Sequence, residues 1–264
     1  MKIVINDPKK VSIFATIFRR LKDVAQDVNI DVYPDKMYIQ GMDDARVCLF
    51  EMLLQGDWFA EFEVNKQEVL GIRCEIMFKM IGCLEDGQKI IMHMKDGADN
   101  LSIDFDALSA DEKTIKKSFE VPLIDMDSEH LEVPPTEYQA DIVIKSRQFS
   151  DLVTQLAIFG DEITINCNSD TIDLTSKGEY GKMTASIEDD DIIEYALEED
   201  ALIELSCGMR YIVQVCAFEK ISKNIYVHCS DDKPVNLHYS LDEKDSSESK
   251  NYVRFFVAPK ICDN

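Results

Sequence analysis

The chain has 264 residues, 45% of them hydrophobic, with 28 Lys and Arg against 51 Asp and Glu and a formal net charge of −23. That length suggests two domains, each able to bury its own core, and the apolar fraction excludes a disordered chain. The charge excludes a protein drawn to nucleic acid or an anionic membrane by its overall field, so any work on DNA must be local, geometric or topological.

The opening MKIVINDPKK is too poor in apolar residues for a signal-peptide core. Residues 8–28 read as a helix with Pro8 in its first turn, because Val11, Phe14, Phe18, Leu21, Ala25 and Val28 recur at steps of three and four. Alternating strands follow at 29–34, 36–41 and 47–53. A second helix is predicted over 73–83, then strands at 89–97 and 100–105. The second half replays this order. A helix spans 146–160, strands fill 162–167 and 171–178, another helix spans 207–220, and a strand follows at 224–232.

The spacing repeats as well: Phe14 to Phe149 and His93 to His228 are both separated by 135 positions. Such a constant offset signals a duplication, each half carrying two helices and eight or nine short strands. The fold class is therefore α+β, with a first domain at 1–120, a connector at 121–138 and a second domain at 139–264. Pro122, Pro134 and Pro135 forbid helix in the connector and make it an extended crossing over the surface. Its Leu123, Met126, Leu131 and Val133 either pin it to the sheets or rim a groove for a partner peptide.

The eight cysteines include no Cys-x-x-Cys, and their closest spacing is nine. They read as small buried hydrophobes in a reducing compartment, and neither metal nor cofactor is expected. No apolar stretch approaches a membrane span. The segment 242–250, DEKDSSESK, reads as a disordered polar loop.

Several segments resemble one family, the sliding clamps called proliferating cell nuclear antigen (PCNA): IQGMDDARVCLF at 39–50, LIDMDSEHLEVPPTEY at 123–138, FGDEITINC at 159–167, GMRYIVQVCAF at 208–218 and FFVAPKI at 255–261. The resemblance implies the DNA clamp fold, two similar domains with helices on an inner face against antiparallel sheets. It also implies a homotrimer closed head-to-tail into a ring, through strands near 114–121 of one subunit and 179–186 of the next. Duplex DNA threads such a ring without sequence preference. DNA polymerase, the clamp loader and proteins bearing a PCNA-interacting peptide dock outside it.

The basic side chains available to a DNA-facing wall are Arg19, Arg20, Lys22, Lys79 and Arg210. At other positions where the family is basic this chain carries Ala15, Thr16, Gly82, Asp151, Thr154 and Ala217, so the lining is thin. The implied partner groove comprises Met42, Arg46, Val47, Leu131, Val133, Pro134, Tyr138, Pro234, Phe256, Val257, Ala258, Pro259 and Lys260. Acids crowd 188–200 and suit an outer surface. Residence in a nucleus, or in a viral replication compartment, follows from the family.

Three other readings compete. One is a checkpoint-type clamp subunit that assembles only with different partners, and another is an acidic DNA mimic. The third is a metal-dependent nuclease using Asp125 and Asp127, or Asp189, Asp190 and Asp191. Acid runs are usually solvated faces, and no nucleophile–base set or phosphate loop accompanies these, so the chain is not expected to be an enzyme.

Overall fold

The computed structural model describes residues 1–109, 114–126, 130–188 and 191–260. Of the nuclease candidates, Asp127, Asp189 and Asp190 lie outside the described residues. The chain divides into two compact units, Met1–Asp44 with Glu51–Leu131, and Ala45–Phe50 with Glu132–Asn264.

The first half runs β1 (Lys2–Ile5), α1 (Pro8–Leu21), β2 (Asp27–Val32), β3 (Lys36–Met42), β4 (Cys48–Gln55), β5 (Glu61–Glu63), β6 (Glu68–Arg73), α2 (Cys74–Ile81), β7 (Gln88–His93), β8 (Asn100–Ala107) and β9 (Lys117–Pro122). The second runs β10 (Ala140–Lys145), α3 (Ser146–Leu156), β11 (Glu162–Cys167), β12 (Thr171–Gly178), β13 (Gly181–Glu188), β14 (Glu194–Leu197), β15 (Ile203–Gly208), α4 (Met209–Cys216), β16 (Asn224–Cys229), β17 (Val235–Ser240) and β18 (Tyr252–Val257). In the first half the strand orders are β5-β1-β7-β8-β9 and β4-β3-β2-β6. The second half repeats both, as β14-β10-β16-β17-β18 and β13-β12-β11-β15.

The duplication reaches single residues. Helices α1 and α3 end at Leu21 and Leu156, and α2 and α4 start at Cys74 and Met209, each pair 135 apart. Even the bond that opens the second helix of each half is copied. The Cys74 amide donates to the Gln26 carbonyl and the Met209 amide to the Asp161 carbonyl, both at 2.9 Å.

Helix α1 forms where a cap and an apolar stripe coincide. The Asp7 carboxylate accepts the Lys10 amide at 2.9 Å, and Pro8 supplies the preset first φ. Val11, Phe14, Phe18 and Leu21 are buried, with the Phe14 and Phe18 ring centroids 4.5 Å apart. In α3 the matching positions hold Ser146, Phe149, Val153 and Leu156, all buried. In the second unit Phe50, Phe218 and Phe255 form an aromatic cluster with centroids 5.0–6.1 Å apart.

The structure corrects three expectations. The first helix stops at Leu21 rather than 28: the Val24 and Ala25 amides both turn back to the Leu21 carbonyl, and Val28 sits in β2 opposite Ile72. Ala25 and Val28 keep helical spacing but are buried from a turn and a strand. The 242–250 loop is ordered against its sheet. Asp242 accepts the Lys250 amide at 2.7 Å, Tyr226 donates to Asp245 at 3.0 Å, and Ser249 lies 2.9 Å from the His238 Nε2. Cys83 is exposed, while the other described cysteines are buried. Burial pushes the Cys74, Cys207 and Cys216 thiols up to about 12, which makes them inert as nucleophiles.

Candidate DNA-facing helices and peptide groove

Helices α1 and α2 gather four of the five predicted basic residues in the first unit. Arg19 and Arg20 stand in the last turn of α1, where cations complement the helix dipole, and Lys22 is its C-cap. Arg19 Nη2 reaches the Ile81 carbonyl of α2 at 3.4 Å, and the Lys22 Nζ lies 4.1 Å from the centroid of the Phe78 ring. Arg20 and Lys22 flank Asp23 at 4.0 and 3.7 Å, and Lys79 pairs with Glu75 at 2.7 Å. The Lys79 ammonium is what pulls the exposed Glu75 carboxyl below its usual range. All four basic side chains are exposed.

The fifth, Arg210, is on α4 in the second unit. Its guanidinium sits 4.4 Å from the Tyr211 ring centroid and donates to the Tyr211 hydroxyl. It also lines a cavity of about 810 Å³ with Val47, Ala157, Gly160, Asp161, Val213 and Gln214. Four predicted groove residues, Val47 and with it Ala258, Pro259 and Lys260, border that same cavity. The Val47 carbonyl accepts the Ala258 amide at 2.9 Å, and the Lys260 amide donates to Ser206 at 2.7 Å, so backbone pairing fixes this rim.

The other groove candidates are placed separately. Arg46 adopts φ 57°, a left-handed turn that exposes its side chain. Val133 and Phe256 are half-buried, Pro134 and Pro234 exposed. Tyr138 rests on the His228 ring with centroids 5.6 Å apart, and burial raises its hydroxyl to about 12. Val257 points into the core with 0% exposure, so it can only support the groove from beneath. The alternation along β18, with Phe256 outward and Val257 inward, is the period-2 signal that distinguishes them.

In the first unit the connector is seated by polar contacts that the sequence did not announce. The Gln40 side chain brackets Leu131, donating to its carbonyl at 2.9 Å and accepting its amide at 2.7 Å. Asn29 donates to the Met126 carbonyl at 3.3 Å, and the Ile124 amide donates to Gly71 at 2.9 Å. A Cβ on Gly71 would lie 2.0 Å from the Ile124 carbonyl oxygen, so only glycine admits the connector there. His130 pairs with buried Asp31 at 2.9 Å, and burial raises the Asp31 carboxyl despite that imidazole. With its backbone held, Leu131 leaves its side chain 51% exposed. Met42 ends β3 in the same unit, half-buried.

Among the described residues no group of three or more His, Cys, Asp or Glu could hold a metal ion, and no helix is long and apolar enough to cross a membrane. An internally duplicated α+β chain, each half presenting a helix pair over antiparallel sheets, defines a two-domain DNA clamp. The family described as "Proliferating cell nuclear antigen, N-terminal domain" matches residues 7–130, and its C-terminal counterpart matches residues 132–260. The chain belongs to the PCNA family, and its function is that of a sliding clamp in DNA replication and repair. It is 26% identical over 263 residues to the proliferating cell nuclear antigen of Chaetomium thermophilum, covering 97% of each chain. It is 23% identical over 254 residues to proliferating cell nuclear antigen 2 of Plasmodium falciparum, covering 95% of this chain and 96% of that one. These likenesses favour neither the nuclease nor the checkpoint-subunit reading.

Proposed function

We propose that three copies of this chain close head-to-tail into a ring around duplex DNA and tether polymerase and other peptide-bearing partners to it, in the nucleus and without catalysis of its own. The observation that carries ring closure is a pair of strand edges that no other strand pairs among the described residues. Strands β9 and β13 each end a sheet, and each has a large apolar side chain beside it, Ile115 at 77% and Tyr180 at 86% exposure. Unpaired edges next to exposed apolar groups call for a partner strand, and a heterologous contact with the right rotation closes into a ring.

Arg19, Arg20, Lys22, Lys79 and Arg210 would meet phosphates. Few such contacts, screened by salt and blind to sequence, let the ring slide while closure retains it. The −23 charge then keeps the outside off neighbouring DNA. Leu131, Val47, Ala258 and Pro259, with Met42, Arg46, Val133, Pro134, Tyr138, Pro234 and Phe256, would take the partner peptide, and the apolar walls that Val47, Ala157, Val213, Ala258 and Pro259 give the cavity suit an apolar anchor. The test is the solution mass of the purified protein. Three times the chain mass is expected, falling to one after Ile115→Asp with Tyr180→Asp, and a wild-type monomer at every working concentration contradicts the ring.

A further inference from the structure

Lys22 is the C-cap of α1, and its side chain is 35% exposed against 68% for that of Lys79. Asp23, 3.7 Å away, and the Phe78 ring of α2, whose centroid is 4.1 Å from Nζ, lie against it, and the Glu75 carboxylate of α2 also feels its charge. Phe78 is 36% exposed, and the Lys22 ammonium lies over its ring. We propose that Phe78 is a positioning residue, a cation–π seat that holds the Lys22 ammonium ready for a DNA phosphate; the proposal rests on the DNA-facing reading of α1 and α2.

A lysine ends a flexible four-carbon stem, and ordering it at the moment of contact costs side-chain entropy. A ring face carries negative potential, so it attracts the ammonium without satisfying its N–H donors, which stay available to a phosphate. The adjacent Asp23 carboxylate would satisfy them instead. By drawing Lys22 across to α2, Phe78 limits that local pairing and sets the charge in one place. Arg19 is steered in the same direction by the Ile81 carbonyl. Helix α2 thus orders two cations that α1 carries, and its own basic residue, Lys79, is engaged with Glu75.

The test is a double-mutant cycle on the full chain, read as binding to a short linear DNA duplex across a salt series. Phe78→Leu should weaken binding about two- to fivefold, the worth of an exposed cation–π contact. It should do nothing further in a Lys22→Ala background, and Phe78→Tyr should restore the wild-type value. Equal weakening in both backgrounds would mean that Phe78 touches DNA itself, and no weakening by Phe78→Leu while Lys22→Ala weakens would remove the seat; either overturns the proposal. A second readout needs no DNA. The Lys22 ε-methylene protons should show a ring-current shift that Phe78→Leu abolishes and Phe78→Tyr keeps. If that shift is present but Lys22→Ala leaves duplex binding unchanged, the DNA-facing reading of Lys22 fails, and the positioning role with it; if the shift is absent, the seat itself is wrong while the DNA-facing reading stands.

Discussion

The same three positions in the two halves carry opposite chemistry. In the first unit Lys22, Asp23 and Phe78 form a cation, an anion and an aromatic seat. One repeat later, 135 residues on, stand Ala157, Ile158 and Val213. Ile158 and Val213 are 67% and 41% exposed, and Ala157 and Val213 wall the cavity that borders Ala258 and Pro259. The buried partners did not diverge in the same way: Phe14, Phe18 and Leu21 answer to Phe149, Val153 and Leu156. Duplication therefore preserved what folds each half and let what faces outward specialise, one helix pair toward charge and the other toward apolar shape.

The largest expected effect tests the preserved side. Phe14→Ala and Phe149→Ala should each cost about 3–5 kcal/mol of unfolding free energy, because each leaves a cavity beneath a helix of its own unit. Chemical denaturation of the two variants measures this. A large cost at one position and a negligible one at the other would break the equivalence of the cores.

The next effect tests a place where the sheets diverge. By strand register, Asp104 opposite Ile91 corresponds to His238 opposite Tyr226. Asp104 stays near Lys116 and His93, each at 3.5 Å, whereas His238 is covered by the 242–250 loop. Burial, then the charges of His228 and Arg254, lower the His238 imidazole to about 3. The unfolded chain binds the extra proton below pH of about 6.5, so stability is full above that value and is lost as pH falls toward 3. His238→Gln should remove about 2 kcal/mol of that loss at pH 5, at about 1.36 kcal/mol per pH unit. Thermal unfolding from pH 7 to pH 4 checks it, and an unchanged pH slope in the variant would contradict the buried neutral imidazole.

The smallest effect sharpens the surface contrast. Grafting the first unit's pair onto the second, as Ala157→Lys with Val213→Phe, should add about one phosphate contact. Duplex affinity should then fall more steeply with salt, by about 0.9 in the logarithmic slope. An unchanged slope would show that α3 and α4 do not face the duplex.

These contrasts also explain what the sequence disclosed. Helix stripes and the 135-residue offset were legible because periodicity is a property of the chain alone. The end of α1 was not, since Ala25 and Val28 continue the helical spacing from a turn and a strand. The order of 242–250 was hidden because a polar segment reads as solvated unless its seat is known, and Tyr226 and His238 come from distant strands. The cationic residues were found by type, yet Phe78 was passed over because an aromatic at helical spacing reads as core. The far wall of the cavity escaped because Ala157 and Gly160 are small and commonplace, and only the tertiary fold makes an absence of side chain into a space. Gly71 escaped likewise, for its role is a close approach of two backbones.

The claim on which the rest depends is topological retention. Loaded onto a closed circular duplex, the protein should persist through a high-salt wash and then be lost rapidly when the circle is cut once. Equal retention on circular and linearised DNA would mean that affinity, not encirclement, holds it, and would contradict the clamp.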